Sequence, residues 1–251
     1  MTTTNRIVLV TGASPLHQEL KHVAESNGYH VIDMDQLAEY KDQIELAIEV
    51  NSLNQEAKKA TIQELDGVLA AHVPIVATSL SVTATEIASW ATIPDRVCGF
   101  GTFVPLVERE LIEVAPALQT TAHTLEQVKA FMQSVGKDTA VVDDEVGLVF
   151  PRILSLIINE AVFTLHEGTA TREDIDIAMK KGTNYPYGPL EWADRIGLDE
   201  VYAVIRGLHH DLAEERYRPA PLLRKLVLAG RVGQRSGQGF YTYEEQKVGQ
   251  R

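Results

Sequence analysis

One spacing near the start of the chain is typical of a phosphate-binding turn followed by a ribose-binding acid. The apolar run Arg6–Val10 predicts a buried parallel strand, and Gly12 follows it two residues later. Asp35 lies 23 residues after Gly12, at the end of a second apolar run, where dinucleotide folds place an acid on the ribose. Gly12, Ser14 and Asp35 are therefore the candidate cofactor-binding residues. A solvent-exposed acid at a strand end is the alternative interpretation of Asp35.

The loop that follows the first strand departs from the glycine pattern that this role needs. A dinucleotide loop reads G-x-G-x-x-G, which lets the backbone approach the pyrophosphate and the helix pack closely. The six residues here are Gly12-Ala-Ser-Pro-Leu-His17, and they retain only the first glycine. Pro15 also removes a backbone N–H where donors would face phosphate. The sequence thus leaves NAD as a possible but doubtful cofactor.

The histidines and the single cysteine provide no second site. His17 lies on the altered loop, and His72 precedes a predicted strand. His209 and His210 are adjacent on a charged helix, so they face different ways and make a poor metal site. We predict no bound metal. Cys98 is predicted to pack in the sheet, and a lone cysteine fits a reducing compartment.

Composition and charge exclude several classes of protein. The chain has 251 residues and a formal net charge of −12, without a basic stripe, which argues against nucleic acid as a partner. We find no apolar leader in the first six residues and no apolar run of about 18 residues, so neither a signal peptide nor a membrane span is predicted. The predicted location is the cytoplasm.

The N-terminal half predicts an α/β sheet that lacks one unit. Beyond the first two strands, a helix is predicted over residues 55–71 and another over 124–135. Strands are predicted near 44–50, 74–78, 97–103, 111–114 and 139–142. Only about ten residues separate Asp35 from the next apolar stretch at Ile44, whereas a βαβ crossover takes a dozen or more. The predicted fold is a truncated Rossmann-like domain.

The C-terminal half predicts helices. A long apolar helix spans Ile153 to His166, and Thr171 is a candidate N-cap for the next helix, which is predicted to end at a left-handed Gly182. The segment Gly182–Asp199 carries Tyr185, Tyr187 and Trp192, and its two prolines fix turns, so we interpret it as a docking surface. The glycines of Gly233–Gly239 are attributed to a turn that packs Phe240 on the helices, with phosphate binding as the alternative.

The C-terminal half also resembles the 3-hydroxyacyl-CoA dehydrogenases over nearly its whole length. The matching segments are Ile158-Asn-Glu-Ala161, Glu173–Met179, Asn184-Tyr-Pro-Tyr-Gly-Pro189, Ile196-Gly-Leu-Asp199 and Ser236-Gly-Gln-Gly-Phe-Tyr241. The N-terminal half follows the family more weakly, through Pro94–Gly99, Leu111–Val114 and Val146–Arg152. This resemblance implies residues 1–146 as an NAD-binding-type domain and residues 147–251 as a helical dimerisation domain.

The resemblance implies an NAD-dependent oxidation of 3-hydroxyacyl-CoA to 3-oxoacyl-CoA, but most of the family's catalytic residues are replaced. The histidine of the family's Gly-x-His-Phe-Phe-Asn-Pro falls on Gly101, and its carboxylate partner is retained as Glu113. The substrate-binding serine falls on Leu80, and the asparagine of Val-Asn-Arg falls on Pro151. Glycine cannot relay a proton, and loss of a general base alone removes about two to four orders of magnitude in rate. Glu113 is interpreted either as a weak base or as a structural acid.

Three functions follow from this combination and stay open at the level of sequence. The first is a 3-hydroxyacyl-CoA dehydrogenase-like enzyme with impaired or altered catalysis, for which NAD binding is doubtful. The second is a non-catalytic subunit that forms a homodimer, or a heterodimer with an active paralogue, through the helical domain. The third is a pseudoenzyme that binds acyl-CoA thioesters without using NAD.

Overall fold

The computed structural model describes residues 6–243, which form two compact units. The first unit ends at Arg152 and the second begins at Ile153, so that the division falls within one helix, whereas the sequence predicts a boundary after residue 146. Residues 1–5, where no leader is predicted, and residues 244–251, at the end of the predicted helical domain, lie outside the described range.

The first unit is built on a seven-stranded sheet with the spatial order β2-β1-β3-β4-β5-β6-β7. Its strands are β1 (Arg6–Thr11), β2 (Tyr29–Ile32), β3 (Ile44–Glu49), β4 (Ile75–Thr78), β5 (Val97–Gly101), β6 (Leu111–Pro116) and β7 (Asp138–Val141). Neighbouring strands are parallel except β5 and β6. The truncated Rossmann-like sheet is therefore confirmed, with β2 at an edge because the next strand, β3, pairs with β1 and not with β2.

Five helices belong to the first unit and cover both faces of the sheet. They are α1 (Leu16–Ser26), α2 (Leu37–Tyr40), α3 (Gln55–Val68), α4 (Ala84–Ser89) and α5 (Ala122–Ser134). One core cluster joins α1 and α5 to alternate strand residues such as Val8, and the other joins α3 and α4 to residues such as Leu9. Both faces of the strands are buried, which explains why the strands are continuous apolar runs rather than alternating ones.

The end of the second strand differs from the sequence prediction. The strand ends at Ile32, and Asp35 lies in a following 3-10 turn, Met34–Gln36, where it is exposed. Asp33 is the first acid after β2, and its side chain caps this turn together with Gln36. The capping interaction favours a turn over a strand that continues to Asp35, which a pattern of apolar residues does not reveal.

Distant carboxylates hold several segment ends in the first unit. Asp144 accepts hydrogen bonds from the N–H groups of Ala84 and Thr85 at 2.6 and 2.7 Å, and thereby caps α4. Asp66 in α3 pairs with the buried guanidinium of Arg96 at 2.8 Å and accepts the N–H of Thr92. These donors and the nearby positive charge keep the pKa of Asp66 below its usual range although burial opposes this.

The second unit is helical, as predicted, and α6 enters it from the first unit. Its helices are α6 (Phe150–His166), α7 (Arg172–Thr183), α8 (Pro189–Ile196), α9 (Leu198–Leu212) and α10 (Pro221–Leu228). Thr171 caps α7 by accepting the N–H of Asp174, as predicted. The predicted end at Gly182 is wrong, because α7 continues to Thr183 and Asn184 adopts the left-handed conformation at φ 57°. Asparagine tolerates this conformation better than most residues, so it can end a helix as glycine does.

Two buried aspartates fix the turns of the second unit. Asp176 accepts the N–H groups of Leu190 and Glu191 at 2.8 and 2.9 Å, which caps α8. Asp194 accepts the N–H groups of Phe240 and Tyr241 at 2.9 and 2.8 Å. The prediction that the glycine-rich segment packs Phe240 back onto the helices is confirmed, since Phe240 is buried. Among the described residues, no helix has both the length and the apolarity needed to cross a bilayer.

Candidate functional site

The predicted site residues lie in two places of the first unit, both near the ends of sheet strands. In open parallel α/β sheets, ligands bind outside the carboxyl ends of the strands, at the point where the strand order reverses. That point lies here between β1 and β3, beside Gly12 and Ser14. The other candidates, Gly101 and Glu113, lie on the antiparallel pair of β5 and β6.

Position 12 requires glycine because the chain turns there in close contact with the end of β3. Its φ is +119°, and a Cβ added to it would lie 2.8 Å from the backbone nitrogen of Asn51. The side chain of Asn51 in turn accepts the N–H of Ala13 at 2.9 Å. The turn after β1 is therefore pinned to the segment that follows β3.

Ser14 accepts hydrogen bonds from the loop's own backbone through two of its oxygen atoms. Its hydroxyl accepts the N–H of Leu16 at 3.3 Å, and its carbonyl oxygen accepts the N–H of His17 at 3.0 Å. Pro15 stands at the N-cap position of α1 and has no N–H to offer. The amides of residues 15–17 are thus either missing or already bonded.

A cluster of charged side chains covers the ends of β1 and β2. Nε2 of His17 lies 2.8 Å from Oδ1 of Asp33, and Nζ of Lys21 lies 2.8 Å from Oδ2 of the same carboxylate. The hydrogen bond from Lys21 lowers the pKa of Asp33, and the carboxylate in turn raises the pKa of Lys21. Asp35, the predicted ribose acid, stays a prediction, and the structure places it outside this cluster on the exposed turn.

Gly101 and Glu113 are directly opposite each other across the antiparallel pair of β5 and β6. Cross-strand partners have Cβ positions about 5 Å apart, so a side chain at position 101 would lie beside that of Glu113. The register thus brings together the two positions that the family resemblance assigns to a histidine and its carboxylate. Here the pair contains the carboxylate and no histidine.

Glu113 uses both carboxylate oxygens to hold the start of α6. Oε2 accepts the N–H of Val149 at 2.8 Å, and Oε1 accepts the N–H of Phe150 at 2.7 Å, while the residue is only 6% exposed. A negative charge at this position also interacts favourably with the helix dipole. The contacts support the structural interpretation of Glu113.

Leu148 fills the space next to Gly101. A Cβ added to Gly101 would lie 2.7 Å from Cδ1 of Leu148, so any side chain at position 101 would require Leu148 to move. Leu148 has a φ of 52°, an uncommon conformation for leucine, and it directly precedes the two residues that Glu113 holds. The position of the missing histidine is therefore closed by a neighbouring apolar side chain.

The other replaced positions are also structural. Leu80 is fully buried just after β4, and Pro151 is the second residue of α6, where a missing N–H is tolerated. Ser81 donates its hydroxyl to the carbonyl oxygen of Ser52. Ser79 is fully buried beside Gly99, whose added Cβ would lie 2.2 Å from the serine oxygen. Neither serine takes the place of Leu80.

Replacing Glu113 with glutamine is expected to weaken the start of α6. An amide has only one acceptor oxygen, so one of the two N–H donors would face an NH2 group, and the charge at the helix terminus would be lost. We expect the free energy of unfolding to fall by about 1–2 kcal/mol, measured by urea denaturation. The exposed Glu110→Gln variant is the control, and equal stability of the two variants would contradict the capping role.

Sequence reasoning missed a buried ion pair at the carboxyl ends of β3 and β4. The Nζ atom of Lys58 bonds to the carboxylate of Glu49, and also to the carbonyl oxygen of Asn51 at 2.9 Å and the hydroxyl of Thr78 at 3.0 Å. Both members of the pair are fully buried. The sequence signal that could have revealed the pair is Glu49, an acid at the end of the otherwise apolar strand β3. A buried carboxylate requires a positive partner in the fold.

A Rossmann-type sheet in which the last two strands, β6 and β7, run opposite to the others, followed by a helical unit, is the architecture of a two-domain dehydrogenase. Residues 16–146 match the sequence profile described as "3-hydroxyacyl-CoA dehydrogenase, NAD binding domain", and residues 147–243 match "3-hydroxyacyl-CoA dehydrogenase, C-terminal domain". The chain belongs to the 3-hydroxyacyl-CoA dehydrogenase family. The match to the first profile begins at the first residue of α1, beyond the turn that contains Gly12.

Similar proteins include two bacterial relatives and one solved structure. The chain is 39% identical to a probable 3-hydroxybutyryl-CoA dehydrogenase of Bacillus subtilis, over 85% of this chain and 75% of that protein. It is 37% identical to a 3-hydroxybutyryl-CoA dehydrogenase of Bradyrhizobium diazoefficiens, over 92% and 77%. The (S)-3-hydroxybutyryl-CoA dehydrogenase of Ralstonia eutropha superposes with a TM-score of 0.79 at 30% identity, covering 96% of this chain and 100% of that one.

The residues of the β1–α1 turn do not fit the pyrophosphate of NAD, which is the cofactor of this family. A bound pyrophosphate needs backbone N–H groups that point at it from the turn and from the first residues of the helix. Here the N–H of Ala13 is bonded to Asn51, those of Leu16 and His17 are bonded to Ser14, and Pro15 has none. At four positions, 13 and 15–17, the amides that a pyrophosphate would use are thus bonded within the protein or missing.

Proposed function

We propose that this chain is a family member with impaired dehydrogenase chemistry that acts as a non-catalytic, dimerising subunit. The observation that carries the proposal is the pair Gly101 and Glu113, in which the histidine position is filled by Leu148 and the carboxylate caps α6. Leucine replaces the family's serine at position 80, and proline replaces its asparagine at position 151. Both replacements are also expected to lower the rate of the dehydrogenase reaction. Its single cysteine, Cys98, is buried and fits a reducing cytoplasm.

The chemistry explains why the retained carboxylate does not compensate for the missing histidine. Oxidation of a hydroxyl requires a group that takes up the hydroxyl proton as hydride leaves the carbon. Protonation of Glu113 would remove the negative charge from the start of α6 and weaken the hydrogen bonds that its oxygens accept from the two N–H groups there. Proton transfer would therefore compete with the stability of the helix terminus. Substrate turnover by Glu113 alone is expected to be slow for this reason.

An apolar groove on the helical unit supports the assembly part of the proposal. A cavity of about 670 Å³ lies between α6 and α7, lined mainly by Leu156, Ile157, Ala161, Ile175 and Met179. Exposed apolar surface of this kind marks interaction sites in proteins. We propose that a second copy, or an active paralogue, covers it.

The Ile157→Glu variant is expected to convert the dimer into a monomer. A carboxylate placed in the apolar groove would lose its hydration when the partner docks, without gaining a positive partner. Sedimentation velocity of the purified chain at micromolar concentration is the measurement, with His166→Glu, at the exposed end of the same helix, as the matched control. A wild-type chain that sediments as a monomer, both alone and with an active paralogue, would contradict the assembly proposal.

Acyl-CoA binding without NAD is the second candidate function, and it is favoured by membership of a family that acts on acyl-CoA thioesters. A ligand at about a hundred times its dissociation constant stabilises the fold by about 2.7 kcal/mol and shifts the melting temperature by several degrees. A thermal-shift titration with acetoacetyl-CoA tests this function. A clear shift would support a thioester-binding protein, and no shift would favour the subunit alone.

A further inference from the structure

The crevice at the carboxyl ends of β1 and β2 is occupied by the protein's own side chains. Nε2 of His17 lies 3.1 Å from the carbonyl oxygen of Val10 and 2.8 Å from Oδ1 of Asp33. Both of these oxygen atoms are acceptors, so Nε2 carries a hydrogen and donates it to the two of them. The imidazole therefore spans from the last residues of β1 to the first residue after β2, where a dinucleotide would cross the sheet edge.

Asp33 is held on its other side as well. Its second carboxylate oxygen accepts a hydrogen bond from Nζ of Lys21 at 2.8 Å, and its backbone N–H bonds to the side chain of Gln36 at 3.3 Å. Each oxygen of this carboxylate is thus already engaged, so a ribose hydroxyl would have to compete with His17 or Lys21 for its usual bidentate place. His17 and Lys21 both project from α1, so the helix itself supplies the two side chains that bond to the carboxylate.

The opposite wall of the crevice is closed by the segment after β3. The Asn51 side chain bonds to the N–H of Ala13, and its own N–H bonds to Oε1 of Glu49 at 2.7 Å. Glu49 is in turn held by the buried Lys58. A ligand that needed the Ala13 amide would have to displace an asparagine that is fixed by a buried ion pair.

We propose that side chains of the chain itself seal this crevice, with His17, Asp33 and Asn51 in the space of the absent ligand, so that the protein binds no dinucleotide there. The inference goes beyond the proposed function, because loss of the base at Gly101 would not by itself prevent cofactor binding. A protein could bind NADH tightly and still lack turnover. The two conclusions can therefore fail separately.

The direct experiment is a titration of the full-length protein with NADH, followed by calorimetry and by NADH fluorescence. We expect no saturable binding by the wild type. The Ser14→Gly/Pro15→Ala/His17→Gly variant recreates G-x-G-x-x-G and returns an N–H at position 15, and it should bind at least about tenfold more tightly. The control is His22→Gly, at an exposed position of the same helix, which should bind no better than the wild type.

Each outcome decides the proposal. Saturable NADH binding by the wild type would overturn it, as would a folded triple variant that binds no better than the wild type. Glycine in α1 lowers helix stability by about 1 kcal/mol, so the triple variant could fail to fold. A second measurement therefore uses only the wild-type protein. The ¹⁵N NMR signals of His17 should show a protonated Nε2 and should not shift when NADH is added. A shift specific to His17 would mean that the crevice opens to the dinucleotide.

Discussion

The Lys58→Met variant is expected to lose about 3–5 kcal/mol in the free energy of unfolding, which is the usual effect of breaking a buried ion pair. The substitution keeps the length of the side chain but removes the charge that neutralises Glu49. It also removes the donor that reaches Asn51 and Thr78 at the ends of β3 and β4. Urea denaturation followed by circular dichroism is the measurement.

Two further variants separate the contribution of the ion pair to stability from the general effect of replacing lysine with methionine. Lys41→Met, at an exposed position, should leave the stability nearly unchanged. The Lys58→Met/Glu49→Gln double variant should be more stable than Lys58→Met alone, because the uncompensated buried charge is then removed. A single variant as stable as Lys41→Met would show that the pair does not stabilise the fold.

The Asp194→Asn variant is expected to release the C-terminal segment from the helical unit, at a loss of about 3 kcal/mol. The carboxylate accepts hydrogen bonds from the N–H groups of Phe240 and Tyr241 and from the hydroxyl of Tyr243 at 2.9 Å. An amide would turn an NH2 group towards one of these donors. Loss of hydrogen-exchange protection at Phe240 and Tyr241 is the specific measurement. Asp211→Asn, on the exposed end of α9, is the control.

The same carboxylate predicts a pH dependence of stability. Burial raises the pKa of Asp194, although its hydrogen-bond donors oppose the shift. The native state then binds the proton more strongly than the unfolded chain does, whose aspartate pKa is about 3.9. The contribution of Asp194 to the free energy of unfolding therefore falls as the pH rises from about 4 through the raised pKa. The difference in stability between the wild type and Asp194→Asn should shrink over this interval, and a constant difference would contradict the assignment.

The fold could be predicted from sequence because its signals are local. Strands such as Arg6–Thr11 are continuous apolar runs, helix α7 carries its own cap at Thr171, and the short interval between Asp35 and Ile44 leaves no room for another βα unit. Signals that end an element were less reliable. Asp33 and Gln36 close a turn that competes with β2, and Asn184 ends α7 where glycine was expected.

The site could be predicted only in part. Comparison with the family motifs identified the positions at which catalytic residues are replaced, including Gly101. It did not reveal which side chains of this protein occupy the space of the lost residues. The partners of Glu113 are the amides of Val149 and Phe150, which lie more than 35 residues away in sequence. No periodicity or local motif reveals such a contact. The left-handed Leu148 beside Gly101 depends on the same tertiary contact.

Several buried or half-buried carboxylates of this protein share one structural role, which is to cap a helix. Asp144, Glu113 and Asp176 each accept two backbone N–H groups at a helix start that is distant in sequence. A helix start presents donors without partners, and a carboxylate satisfies two of them while interacting with the dipole. Glu113 therefore behaves as the other caps do, and its retention in the chain does not require a catalytic role.

The most direct test of the account is the steady-state rate at which the purified protein oxidises NADH in the presence of acetoacetyl-CoA. The 3-hydroxybutyryl-CoA dehydrogenase of Bradyrhizobium diazoefficiens, measured under the same conditions, is the reference. We predict a turnover lower than that of the reference by at least about two to four orders of magnitude, as expected for loss of the base. A turnover within about tenfold of the reference would mean that another group of this chain accepts the proton, which would contradict the proposed loss of catalysis.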